Sequence, residues 1–424
     1  MNAQGFDRVD LADGVRLWVL PDRRFKSVQI MAFLHRPLDD RATVTAMLPA
    51  VLRRGCQRLP TMARIAAFLE NLYGASFGAS VFKSGEQHVL TFFVEVLNDR
   101  FVPRGKGPLG RAVDFLFRVM ARPIRQGRGL KKDYVEGEKE NLRRLIEGLV
   151  NDRAAYAWER CVGIMCEGEP FARYEFGRLE DIPPVTPGGL AEFHAEVLRT
   201  APVEFFVSGD VDTGRIERLF RRRMRFGRRK VAPPPATVIR TARAEPREVV
   251  ERMEVEQGNL VLGCRTGATW TDPGILDLSF ANAVLGGFPH SRLFRIVREQ
   301  EGLAYGTSSS LDPAKGLVMI TAGIDPSKYA DARRVILEQL DSLRQGDLSD
   351  EEMDKTRSSL VNRIRSREDS MSSRISFFHE VVTCGRTFTS GEMIEGYRAV
   401  TKEAVAKAAR RIGLDTVYFL TQPS

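Results

Sequence analysis

One order of elements occurs twice along this chain of 424 residues, once on each side of a run of three prolines. In the first copy Ser27–Leu34 (SVQIMAFL) reads as a strand, Ala42–Arg53 and Met62–Leu72 as helices, Gln87–Val96 (QHVLTFFVEV) as a strand and Ala112–Ala121 as an apolar helix. In the second, Asn259–Cys264 (NLVLGC) is the strand and Ile275–Val284 and Ser291–Gln300 the helices. The strand Leu317–Ile324 (LVMITAGI) and the helix Ala330–Leu343 follow. The first strand precedes the second by about sixty residues in each copy, and a charged helical stretch closes each, Tyr134–Leu149 and Ser349–Arg367. Strands followed by helices at this spacing predict an α+β fold. Two duplicated domains are expected, each a mostly antiparallel sheet with helices on one face.

The prolines Pro233, Pro234 and Pro235 lack backbone N–H donors and fix φ, so the chain around them should be extended and outside any core. The segment 227–248 is therefore predicted to link a first domain, 1–226, to a second, 249–424. Forty-three per cent of the residues are apolar, enough to offset ordering entropy over most of the chain. No run approaches the ~18 uncharged apolar residues of a membrane span, and the first residues hold early acids and no apolar core of a secretory leader. A cytoplasmic location is the expectation, with no membrane partner. The net charge is +9, and its densest source is Arg215–Lys230 (RIERLFRRRMRFGRRK). That run reads either as a nucleic-acid patch or as a solvated helix end entering the linker. No nucleic-acid module accompanies it, and none is expected as a partner.

The chemistry-bearing residues are sparse. The five cysteines, Cys56, Cys161, Cys166, Cys264 and Cys384, are odd in number and lack a second ligand pair for a zinc knuckle, so they read as small core residues. None of His35, His88, His194, His290 and His379 has a partner histidine three or four residues away, which removes a helical zinc pair. No P-loop and no G-x-S-x-G elbow occurs. The acidic run from Glu136 to Glu147 reads as a solvated helix face with i,i+4 pairs, or as the source of a metal ligand. The most informative segment is Arg292–Gly306 (RLFRIVREQEGLAYG). A helix with Leu293, Phe294 and Val297 on one face should stop at Gly302, and the chain should re-enter a strand at Ala304 and Tyr305. Arg298 and Tyr305 could then address a peptide carbonyl, or simply cap the helix and pack.

Segment 293–306, LFRIVREQEGLAYG, resembles a motif of the pitrilysin/insulinase zinc peptidases, in the class that includes the mitochondrial processing peptidase. Glu204–Asp212 (EFFVSGDVD) is similar to the strand and G-D-x-D turn closing that family's first domain. The resemblance covers nearly the whole chain and implies the processing-peptidase-like metallohydrolase fold in a clamshell arrangement. It further implies that Arg298 and Tyr305 bind the substrate backbone and stabilise the tetrahedral intermediate. The chain departs from the family where active members carry H-x-x-E-H. The matching stretch is Ala46-Met47-Leu48-Pro49-Ala50, with alanines for both histidines and Pro49 for the general-base glutamate. The family's third ligand would fall near Glu147. One carboxylate without imidazoles cannot hold a catalytic zinc, and Pro49 is expected to reshape its helix. The reading is a chain that is no enzyme on its own and has no cofactor. It would be the non-catalytic subunit of a heterodimeric metallopeptidase. A second peptidase-family chain with H-x-x-E-H would bring zinc, and this chain would supply Arg298 and Tyr305 to a peptide substrate. The alternative is a non-proteolytic scaffold subunit of a larger assembly.

Overall fold

In a computed structural model the strand predicted at Ser27 lies inside a six-stranded sheet, and the strand predicted at Asn259 inside a second, five-stranded one. The structure describes residues 5–103, 105, 107–224, 226 and 230–423. In chain order it begins with β1 (Asp7–Ala12), β2 (Val15–Pro21), β3 (Ser27–Pro37), α1 (Ala42–Leu52), α2 (Met62–Glu70), β4 (Ser76–Ser84), β5 (Gln87–Leu97) and α3 (Pro108–Ala121). A two-strand ribbon, β6 (Arg125–Gln126) and β7 (Gly129–Leu130), leads into α4 (Lys132–Gly148) and α5 (Arg153–Met165). Then come α6 (Pro187–Thr200), β8 (Val203–Gly209) and α7 (Thr213–Arg223). The second half holds β9 (Arg247–Arg252), β10 (Gly258–Arg265), α8 (Ile275–Gly286), a π-helical segment (Leu293–Gln300), β11 (Ala304–Asp312) and β12 (Leu317–Ile324). It ends with α9 (Tyr329–Gln345), α10 (Asp350–Glu368), α11 (Met371–Thr383), α12 (Ser390–Ala399), α13 (Lys402–Ala409) and β13 (Gly413–Thr421).

The repeat is a repeat of topology. The first sheet runs β1-β2-β8-β3-β5-β4, and the second β11-β12-β10-β13-β9. Read from the opposite end, the second reproduces β2-β8-β3-β5-β4 strand for strand. Each holds a single parallel pair, β2 with β8 and β9 with β13, and its other pairs are antiparallel. The α+β class with two duplicated, antiparallel-rich sheets is thus the observed one. β3 and β5 pair over all eleven residues, from Ser27 opposite Leu97 to Pro37 opposite Gln87. Alternate residues of β3, Val28, Ile30, Ala32 and Leu34, enter the core shared with α1 and α3.

The chain forms two compact units that are not contiguous in sequence. The first holds residues 1–147, 173–236 and 371–376; the second holds 148–172, 237–370 and 377–424. In the second unit α8, α9 and α13 cover one sheet face. α5 covers the other, packing Ala157, Cys161, Val162 and Met165 on Val261, Met319, Tyr418 and Leu420. Of the segment 227–248, Gly227 to Arg229 lie outside the described residues, residues 230–246 form no helix or strand, and β9 begins at Arg247. A buried ion network fastens its later part to the second unit. Lys315 Nζ donates to Val238 O and to Glu169, both at 2.8 Å, and Arg265 bridges Glu169 at 2.6 Å and Asp415 at 3.2 Å.

Candidate functional site

The Arg298 and Tyr305 segment is built by two unusual backbone elements. Residues 293–300 wind as a π-helix, with i→i+5 geometry continued by Glu301 N donating to Ile296 O at 2.9 Å. π-turns are rare and cluster at functional positions. Leu293 and Val297 are fully buried and anchor it in the second core, while Arg298 stays exposed, its guanidinium 4.4 Å over the Phe294 ring. Gly302 ends the segment at φ 58°, the left-handed stop its sequence predicts, and Lys328 Nζ holds the Gly302 carbonyl at 3.0 Å.

β11 then starts at the sheet edge. Ala304 pairs with Ile324 and Gly306 with Gly323, so Tyr305 is the extra residue of a β-bulge. A bulge re-aims a side chain and is enriched beside active sites. Here it leaves Tyr305 67% exposed at the strand start. The next residue, Gly306, lines a cavity of about 870 Å³ within the second unit, whose walls include Arg153, Trp158, Gln257, Asn259 and Thr321. Gln257 lies across Gly323, where a Cβ would collide with its amide. Arg298 and Tyr305 thus stand exposed on either side of the Gly302 turn, and Tyr305 directly precedes a residue that lines the cleft. The sequence carried no sign of the bulge or the π-winding, since both are departures from a regular ladder.

The first unit shows what has become of the expected metal position. α1 runs unbroken from Ala42 to Leu52, which corrects the expectation that Pro49 reshapes it: Arg53 N donates to Pro49 O at 3.0 Å. Proline removes the bond from its own nitrogen and crowds the carbonyl one turn back, at Thr45, but Pro49 is buried among apolar neighbours that hold the helix. Ala46 belongs to the hydrophobic core and Ala50 is half-buried. Glu147 is exposed at the last turn of α4. The buried carboxylate of α4 is instead Glu138, 4% exposed and ion-paired with Arg54. Alanine and proline offer no donor to a metal, and Glu138 is already neutralised by a guanidinium. These residues do not fit a zinc ion.

His35, on β3, is also placed away from α1. Its Nδ1 lies 2.9 Å from Gln87 Oε1 and its Nε2 3.6 Å from Glu204, which also takes Arg16 Nη1 at 3.2 Å. His194 is buried with Nε2 at 2.7 Å from Met120 O, and burial lowers its pKa. Four of the five cysteines are buried, and burial pushes the Cys264 thiol up to about 12, as core thiols behave.

Residues 184–360 match the sequence family described as "Peptidase M16 inactive domain". Over 408 residues the chain is 29% identical to "Probable inactive metalloprotease YmfF" of Bacillus subtilis (strain 168), covering 96% of each. It is 30% identical over 254 residues to "Uncharacterized zinc protease MT2852" of Mycobacterium tuberculosis (strain CDC 1551 / Oshkosh), covering 57% of this chain and 56% of that one. Among solved structures, a conserved protein from Enterococcus faecalis V583 superposes with a TM-score of 0.92 at 28% identity, covering 99% of both chains. A peptidase M16 inactive domain from Pseudomonas fluorescens superposes at 0.82 with 17% identity, covering 100% of this chain and 99% of that one, a likeness of fold.

Proposed function

We propose that this chain, an inactive M16-type peptidase relative and non-catalytic on its own, is one subunit of a heterodimeric zinc metallopeptidase. Its part is to present Arg298 and Tyr305 to a peptide held by a second chain that carries H-x-x-E-H, zinc and the general base. The observation behind this reading is an asymmetry. The arginine and tyrosine of the family-like segment are both present and both exposed, on a π-turn and a β-bulge, and Tyr305 is followed by the cleft-lining Gly306. The matching metal position on α1 holds only Ala46, Pro49 and Ala50.

In this reading the Arg298 guanidinium offers a planar pair of donors to a peptide carbonyl, and the Tyr305 hydroxyl offers one more. Donors held in place for a developing oxyanion need no rearrangement when charge appears. That is why such groups act on turnover more than on binding. Residues on a bulge and a π-turn are pinned by the core behind them, through Leu293 and Val297, while their tips stay free for a ligand.

The test combines the purified chain with a family member bearing H-x-x-E-H and follows cleavage of unfolded peptides. Arg298→Ala and Tyr305→Ala should each lower kcat by roughly 10²–10³-fold with the complex intact. Unchanged cleavage by both variants overturns the assigned role and leaves the scaffold reading. One tightly bound zinc per isolated chain would overturn both. Among the described residues no helix is long and apolar enough to cross a membrane; a cytoplasmic location is part of the proposal.

A further inference from the structure

The basic run that the sequence singles out contributes to a second, smaller cleft, within the first unit. It has a volume of about 250 Å³ and is lined by Gln57, Arg58, Asp114, Phe117, Arg118, Ala121, Arg122, Arg222 and Arg223. Three pieces of chain converge there. α3 ends at Arg118 and Arg122, α7 ends at Arg222 and Arg223, and the loop after α1 brings Gln57 and Arg58, docked by Gln57 N on Arg122 O at 2.9 Å.

Five guanidinium groups face one carboxylate in this cleft, and a guanidinium stays charged at every physiological pH. Asp114 is already committed to Arg223 Nη1 at 2.9 Å. Among the described residues the side chains of Arg58, Arg118, Arg122 and Arg222 have no hydrogen-bond or ion-pair partner, and the Nε of Arg223 is buried with no acceptor. The C-termini of α3 and α7 contribute partial negative charge, about half a unit each at most, which leaves most of the positive charge uncompensated. Like charges gathered in one cleft repel unless an anion joins them. The Nε of Arg223, a residue of the cleft wall, is one more donor without an acceptor.

We infer that this cleft binds an inorganic oligophosphate. Planar forks of paired N–H donors match phosphate oxygens in bidentate fashion, and several arginines around one small volume suit linked phosphates more than a single one. The phosphate tail of a nucleotide shares that chemistry, but the cleft offers no free aromatic face for a base. Phe117, its one ring, is 5% exposed and packed on Phe205 and Phe220, with centroids at 5.3 and 5.5 Å. The small volume of the cleft also differs from the extended groove that a nucleic-acid strand needs.

The experiment is calorimetric titration of the full chain with sodium tripolyphosphate at near-physiological salt and with chelator present. Sulfate at matched ionic strength is the control, and ATP and UTP are parallel probes. Saturable one-site binding should weaken at least tenfold in Arg118→Gln and in Arg222→Gln, and stay unchanged in Arg334→Gln on α9. Arg222 is exposed, so its variant keeps the fold, which the unliganded melting temperature checks. ATP and UTP should bind alike and no more tightly than tripolyphosphate. Binding that tracks ionic strength alone, that survives both cleft variants, or that prefers one base overturns the inference.

Discussion

The guanidinium of Arg54, just beyond α1, pairs with the carboxylate of Glu138 on α4, and Asn141 Nδ2 donates to the second carboxylate oxygen at 3.1 Å. Gly137 makes room for this: a Cβ there would lie 3.0 Å from the Arg54 Nη1. The pair fixes an organic cation beside α1, on which Ala46, Pro49 and Ala50 offer no donor to a metal. Removing one partner of a buried ion pair leaves an uncompensated charge, at a typical cost of about 3–5 kcal/mol. Arg54→Ala should lose stability on that scale in urea titration, and Arg54→Ala with Glu138→Leu should recover most of it. A single-variant loss under about 1 kcal/mol would mean that water, and not Arg54, satisfies Glu138.

Lys315 sets a second expectation. Its side chain is fully buried, and its ammonium is shared between Glu169 and the carbonyl of Val238. Lys315→Met should therefore destabilise the second unit by about 3–5 kcal/mol, because Glu169 loses one of its two close cations and keeps only Arg265 at 2.6 Å and the more distant Arg240 at 3.9 Å. The loss should be accompanied by faster proteolysis of residues 230–246, which this network fastens. Retained protease resistance would assign the fastening to Arg243 on Asp415 and Arg240 on Glu169.

Asp22 gives a pH dependence with a defined sign. Burial works to raise its pKa, but hydrogen bonds from Arg24 at 2.7 Å and Arg374 at 2.5 Å overcome it and bring the carboxyl to about 2. A depressed folded-state pKa stabilises the protein above the ordinary value of about 3.8, and that stability disappears as pH falls toward 2. Arg24 is half exposed, so solvent screening limits the contribution to about 1 kcal/mol. Asp22→Asn should flatten this part of the acid-denaturation curve and leave stability near pH 2 unchanged.

The central strands were legible in the sequence because they are apolar on at least one face and bounded by turns: β3, β5, β10 and β12 lie where the pattern places them. The edge strands β4 (SFGASVFKS) and β11 (AYGTSSSLD) are rich in small and polar residues, and only the start of β11 was anticipated. In β4 Gly78 is required by a neighbour, since a Cβ would stand 2.2 Å from the Phe93 ring. The closing strands β8 and β13 join partners far away in sequence, Val15 with Val203 and Arg247 with Thr416, and no local periodicity encodes such pairings. At the candidate site the residue identities of Arg298 and Tyr305 were readable, while the bulge that exposes Tyr305 was not. Glu138, rather than Glu147, is the buried acid of α4 because it falls on the apolar stripe with Val135 and Leu142.

The assignment of α5 to the second unit changes how this protein can be dissected. A clone cut at the three prolines would strand Cys161, Val162 and Met165 on the wrong fragment and leave Val261, Met319, Tyr418 and Leu420 as a bare greasy slab. Such a C-terminal half would clump or cling to chaperones. Anyone wishing to produce it alone would have to carry residues 148–172 along as a grafted splint.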